Sequence, residues 1–125
     1  SGENAKIYYN KALSIRDDIA KEFDKVFEKY DYIIGPTTTT TAYNLDDPMD
    51  DPSKSFMDDV LVMHANMGGF PSMSVPMGFI NELPIGMQII GKKFDEETII
   101  KAAYAYEQET NFRAKYKPTF KGGAQ

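Results

Sequence analysis

With one histidine and no cysteine among its 125 residues, the sequence allows few familiar nucleophile–base arrangements. The single histidine, His64, the serines Ser72 and Ser74, and the adjacent carboxylates Asp58 and Asp59 are the parts from which a Ser-His-Asp arrangement would be drawn. Their spacing argues against one. A serine nucleophile needs its hydroxyl held at a base, commonly on a strained Gly-x-Ser-x-Gly turn, and Pro71-Ser72-Met73-Ser74-Val75-Pro76 offers no such turn. His64 sits on a short predicted helix, which limits its reach to a strand serine. With no cysteine and no His-x-x-Glu-His pattern, metal binding is left to carboxylates alone. Asp46, Asp47, Asp50 and Asp51 lack the alternating spacing and the glycine of a calcium loop, so they read as a solvated connection. Gly68-Gly69 follows a helix instead of a strand and does not make a phosphate-binding Gly-x-Gly-x-x-Gly turn. Residue chemistry alone assembles no complete active site; it reads as part of one.

The elements that would position these groups are legible from periodicity. Ile15, Ile19, Phe23, Val26, Phe27 and Tyr30 recur at spacings of three and four, which predicts one unbroken helix over 6–30 with a core-packing stripe. Tyr32-Ile33-Ile34-Gly35 suits a short buried strand ended by Pro36. The run Thr37–Thr41 predicts an ordered loop or strand extension, with a hydroxyl-lined cavity as the alternative. Ser55–Ala65 reads as a second helix, capped by Ser53 or Ser55, with Asp58 and Asp59 in its first turn and Gly68-Gly69 after its end. Two apolar runs follow, Ser72–Phe79 and Ile85–Ile90, punctuated by Pro71, Pro76, Gly78, Pro84 and Gly86, and they predict a pair of strands. A third helix starts at Asp95 as N-cap and runs to about Thr110, with Ile99, Ile100, Ala103, Tyr104 and Tyr106 on its apolar side. Residues 111–125 read as a flexible tail. Helix, glycine turn and strand in close succession give an α/β class, about three helices on a few strands.

Composition narrows the functional classes. The length suits one domain with its own core. No apolar run approaches a membrane span and no signal segment opens the sequence. The net charge of −5 traces to residues 46–59, which hold six Asp against one Lys. Arg113, Lys115, Lys117 and Lys121 in the tail are too few and too dispersed to make a nucleic-acid surface. The absence of cysteine fits a cytoplasmic location and excludes a disulfide scaffold.

The stretch Asn66–Gly91 resembles the C-terminal signature region of amidase-signature enzymes, through Asn66, Gly69, Pro71, Ser74, Pro76, Gly78, Pro84, Gly86, Gln88 and Gly91. The flanks, Tyr8-Tyr9-x-Lys11-Ala12 with Arg16, Gly35-Pro36-Thr37, Phe94-Asp95-Glu96 and Ala103-Tyr104-x-Tyr106-Glu107, are similar to the A-subunit branch of glutamyl-tRNA(Gln) amidotransferases. This resemblance implies a partial domain from the C-terminal portion of a much longer α/β fold with a large mixed sheet. It also implies glutamine as the small-molecule substrate, hydrolysed to supply ammonia for converting Glu-tRNA(Gln) to Gln-tRNA(Gln). The Ser–cis-Ser–Lys catalytic constellation lies upstream in that family, so no catalytic residue is expected in these 125 residues and the chain is expected to be inert alone. The implied partners are the B and C subunits, with ATP and Mg on the B subunit. One family role falls on a residue present here: Asp59, in Asp59-Val60-Leu61, is similar to the acid that holds the glutamine α-ammonium. Opposite charges about 4 Å apart gain on the order of 4 kcal/mol at an effective dielectric near 20. Asp58 is then expected to be the solvated neighbour.

Some positions depart from the family pattern. Thr39 stands where proline is common, Met77 where small residues are common, and Asn81-Glu82 where Asn-Gly is usual. Two other readings compete: a segment of another amidase-signature amide hydrolase, or a stand-alone interaction domain derived from one. Against the stand-alone reading, strands such as Ile33–Gly35 and Ser72–Phe79 would lose upstream neighbours and present open edges, through which these 125 residues are expected to self-associate.

Overall fold

The structure is a computed structural model that describes residues 2–44, 46 and 52–115. Helix α1 spans Gly2–Phe27, strand β1 Tyr32–Pro36, helix α2 Pro52–Asp59 and helix α3 Met63–Gly68. Strands β2 (Ser72–Ile80) and β3 (Leu83–Gly91) form a hairpin, followed by α4 (Glu96–Thr110) and the single turn α5 (Phe112–Lys115). The three strands make one sheet in the order β1-β3-β2, with both pairings antiparallel. The α/β class expected from the sequence is the one observed.

β3 is central, which explains its near-continuous apolar run: both of its faces are covered. On one face Met87 and Ile89 pack with Val75 of β2 and with Ile99 and Ala103 of α4. On the other, Ile90 joins Phe27, Phe70 and Ala65, with Ala20, Phe23 and Ile33 against them. Side chains alternate across a strand, so Gly86, Gln88 and Ile90 share this second face. Gly91 must be glycine for packing reasons, because a Cβ there would stand 2.5 Å from Ile99 Cγ2. The ladder is interrupted once, by a bulge between Pro76 and Gly78, where Gly78 takes φ 152°.

Three expectations about the helices change. α1 starts earlier than expected and buries only part of its stripe: Phe27 is buried, Ile19 and Phe23 are half-buried, and Ile15, Val26 and Tyr30 are exposed. The reason is position. α1 meets the body through its second half, where Phe23 stacks on Phe70 at 5.1 Å, Phe27 tilts against Phe70 at 5.4 Å, and Arg16 Nε donates to the Met67 carbonyl at 3.1 Å. Among the described residues nothing covers Ile7, Tyr8 or Tyr9.

The expected helix Ser55–Ala65 is two helices separated by a turn at Val60–Val62. Val60, Leu61, Val62 and Met63 are all half-buried, which one straight helix lying on the body could not arrange for four consecutive residues. Two β-branched residues in the run also weaken helix continuity. Because α2 begins at Pro52, neither Ser53 nor Ser55 is its N-cap, and Asp58 and Asp59 fall in its last turn instead of its first. The glycine stop does hold: Gly69 caps α3 in the left-handed region at φ 72°.

In α4, Asp95 occupies the N-cap position as expected, yet its side chain makes no cap hydrogen bond; Glu96 and Glu97 fill the first turn. Ile99 and Ala103 are buried, whereas Ile100 and Tyr104 point away from the sheet and are exposed. The expected tail is helical at Phe112–Lys115, where the Lys115 ammonium donates to the Thr110 carbonyl at 2.9 Å. The rest of it, with Lys117 and Lys121, lies outside the described residues, as do Asp47, Asp50 and Asp51 of the acidic connection.

Candidate functional site

The polar groups singled out in the sequence gather where the threonine loop leaves β1. Thr37 continues the β1 ladder by donating its N–H to the Gly86 carbonyl at 3.0 Å, and its hydroxyl meets the Ser74 hydroxyl at 2.6 Å. This pair sits where a Cβ on Gly86 would otherwise be, 2.6 Å from Ser74 Oγ and 2.9 Å from Thr37 Oγ1. Glycine at 86 is therefore required by the approach of two side chains from the flanking strands. Ser74 is thus committed to a bridge between the two outer strands.

Beyond Thr37 the loop fastens the end of α2. Thr38 Oγ1 donates to the Thr40 carbonyl at 2.8 Å, which shapes the loop itself. Thr39 Oγ1 donates to the Met57 carbonyl at 3.3 Å, satisfying one of the carbonyls that a helix C-terminus leaves free. Thr40 Oγ1 donates to Asp58 Oδ1 at 2.8 Å, and the Tyr43 hydroxyl donates to Asp58 Oδ2. Both carboxylate oxygens of Asp58 are engaged, and the residue is half-buried. Asp59 is the exposed member of the pair, and its carbonyl accepts the Val62 N–H at 3.1 Å to close the turn into α3. The expectation that Asp58 is the solvated neighbour is therefore reversed, because two loop hydroxyls converge on it. Neither Thr40 nor Tyr43 stood out individually in the sequence; the threonine run itself was the available signal.

The parts of the Ser-His-Asp arrangement are drawn to different partners. His64, exposed on α3, stacks its ring on Phe23 at 6.4 Å, while Ser74 is held by Thr37 and Asp58 by Thr40 and Tyr43. Among the described residues no group of His, Asp or Glu is arranged to hold a metal ion, and no helix is long and apolar enough to cross a membrane. One buried group went unnoticed in the sequence as a polar problem. Gln88 is only 4% exposed, and its Nε2 has no hydrogen-bond partner among the described residues.

The sheet with its covering helices, and the polar loop that locks the end of α2, make an α/β arrangement in which Ser74, His64 and Asp58 each have a different partner. Comparison with known proteins gives the family: residues 1–100 match the Amidase family, and the chain belongs to it. The chain is 52% identical over 116 residues to the A subunit of glutamyl-tRNA(Gln) amidotransferase from Latilactobacillus sakei subsp. sakei (strain 23K), covering 93% of this chain and 24% of that one. Against the crystal structure of the A subunit of glutamyl-tRNA(Gln) amidotransferase from Thermotoga maritima, it superposes with a TM-score of 0.78 at 36% identity, covering 86% of this chain and 24% of the other. A bacterial aryl acylamidase of the amidase-signature family shares the fold, with a TM-score of 0.66 at 24% identity over 82% of this chain and 23% of that one. The chain spans about a quarter of the length of the curated relatives it matches.

Proposed function

We propose that this chain is a C-terminal portion of the glutamine-hydrolysing A subunit of a glutamyl-tRNA(Gln) amidotransferase. The observation that carries the reading is the 52% identity over 93% of the chain to a protein of that name. In the intact subunit, the Ser–cis-Ser–Lys set implied by the resemblance supplies a serine that attacks the glutamine side-chain amide; the C–N bond breaks to release ammonia, and water hydrolyses the resulting glutamyl ester to glutamate. The ammonia serves a B subunit that activates Glu-tRNA(Gln) with ATP and Mg, a C subunit holds the assembly together, and the complex works in the cytoplasm.

Within this chain, Asp59 is the residue proposed to hold the α-ammonium of glutamine. Three features support that role. Asp59 is exposed, it lies at the C-terminal end of α2 where the helix dipole favours a cation, and its neighbour Asp58 is fastened by Thr40 and Tyr43 so that the helix end is held in place. The test uses the intact subunit. Asp59→Asn should raise the glutamine KM by about tenfold or more, with a smaller effect on kcat, since an ion pair to a non-reacting group contributes mainly to binding. An unchanged KM would overturn the role. The 125-residue chain alone should release no ammonia from glutamine, and turnover by the purified chain would overturn the reading of it as a portion of the enzyme. As a partial domain with two outer strands, this chain is also proposed to self-associate through a strand edge.

A further inference from the structure

Four consecutive threonines connect the sheet to the end of α2. Thr37 is tied to the sheet twice, by its N–H to the Gly86 carbonyl and by its hydroxyl to Ser74 of β2. The Thr38 hydroxyl closes the loop on itself at the Thr40 carbonyl, and Thr39 then reaches the Met57 carbonyl. Thr40, with Tyr43 beyond it, ends on the carboxylate of Asp58. The bonds from Thr40 and Tyr43 cross eighteen and fifteen residues of sequence, so they fix the end of α2 against the loop and, through Thr37, against the sheet.

An ionised carboxylate only accepts hydrogen bonds, so both hydroxyls donate to Asp58, and bonds to a charged acceptor are roughly twice as strong as neutral ones. This matters for a helix of eight residues, because isolated helices below about 12–15 residues are marginal in water. Two successive residues at its end are held from the loop, Met57 through its carbonyl and Asp58 through its side chain. Asp59 follows directly, and its carbonyl is held by the Val62 N–H at 3.1 Å. The backbone of Asp59 is thus set from both sides. Its side chain is short, so the carboxylate follows the backbone closely.

We infer that Thr40 and Tyr43 are positioning residues for glutamine: by holding Asp58 they set the place of the Asp59 carboxylate at the substrate's α-ammonium. The inference rests on the role proposed for Asp59 and adds to it two residues that act through their neighbour. Asp58 is then the anchor of Asp59 and not a second ligand for the ammonium, since both of its oxygens are engaged inside the fold. The effect has the size of a distance change. At an effective dielectric near 20, an ion pair drawn out from about 4 to about 5 Å loses about fourfold in affinity. The loss falls on binding and not on the chemical step, because the α-ammonium is remote from the amide that reacts.

The test uses the intact subunit and reads ammonia release from glutamine. Tyr43→Phe and Thr40→Val each keep the shape of the side chain and remove one donor to Asp58. Each should raise the glutamine KM about threefold to fivefold. The kcat should stay within about twofold of wild type. Thr40→Ser, which keeps a hydroxyl, should leave KM at the wild-type value. The deciding measurement is a double-mutant cycle with Asp59→Asn. Once the carboxylate charge is gone its placement no longer matters, so adding Tyr43→Phe or Thr40→Val should leave KM within about twofold of Asp59→Asn alone. A structural weakening of the subunit would instead multiply with Asp59→Asn or lower kcat, and either result would overturn the inference. Tyr43 is exposed and Tyr43→Phe keeps the ring, so this variant carries the cycle if Thr40→Val melts below the assay temperature. An unchanged KM in Asp59→Asn would overturn the role of Asp59 and this inference with it. A raised KM in Asp59→Asn beside wild-type values in Tyr43→Phe and Thr40→Val would overturn the positioning role alone.

Discussion

The hairpin turn carries a substitution whose effect is computable from the backbone. Ile80 pairs with Leu83, so Asn81 and Glu82 form a two-residue connection, and both sit at positive φ, 51° and 67°. Such a turn matches the right-handed twist of the flanking strands, and it requires left-handed residues at both positions. Asparagine tolerates that region through its short polar side chain, whereas a glutamate there bears about 1–2 kcal/mol of steric cost between Cβ and backbone. Glu82→Gly removes this cost but adds about 0.4–1 kcal/mol of unfolded-chain entropy. The net gain should be about 0.5–1 kcal/mol, which for a domain between the 100- and 150-residue benchmarks corresponds to roughly 2–5 °C in Tm. Thermal melts and urea titrations of wild type, Glu82→Gly and Glu82→Ala decide the matter. Alanine keeps the Cβ and should give no comparable gain. If glycine leaves the midpoint unchanged, or alanine raises it as much as glycine does, the strain argument is wrong.

Further perturbations address the interior and the loop. Gln88→Met removes a buried amide donor that has no acceptor among the described residues, and urea unfolding should show about 1 kcal/mol of added stability; a loss would mean that Nε2 has an acceptor. Phe70→Ala opens a cavity beneath Phe23 and Phe27 and should cost about 3–5 kcal/mol, read as a lowered denaturation midpoint. Thr40→Val keeps shape but removes one of the two donors to Asp58, and should cost about 1 kcal/mol with faster amide exchange through α2; unchanged exchange would separate the loop from the stability of that helix.

Much of the architecture was legible because it depends on local rules. The hairpin, the glycine stop at Gly69 and the span of α4 follow from turn chemistry and periodicity, although Ile100 and Tyr104, expected on the apolar side of α4, are exposed. The misreadings share a cause: tertiary context decided between local alternatives. The apolar stripe of α1 was legible, but how much of it finds a partner was not, since that depends on where Phe70 lies. The run Ser55–Ala65 has a helical period throughout, and only the need to turn four consecutive apolar residues inward breaks it at Val60. At the candidate site, residue chemistry picked out the carboxylate pair and the resemblance singled out Asp59 within it. Which of the two is fastened was decided by Thr40 and Tyr43, which approach from fifteen or more residues away in sequence. A donor without an acceptor, as at Gln88, has no sequence signature.

The strand order has a kinetic consequence. β2 and β3 are joined by a two-residue turn and α4 follows directly, so their shared core assembles from contacts close in sequence. β1 reaches β3 only by closing the chain between Tyr32 and Gly91, a loop whose entropy must be met before the pairing contributes. Hairpin and α4 therefore form the early, cooperative unit, and β1 with the second half of α1 docks onto it later. Opening runs the same route in reverse: the amides of Ile33 and Gly35 should exchange through a lower-energy fluctuation than those of Met87 and Ile89, so that the layer carrying the threonine loop detaches while the hairpin stays folded.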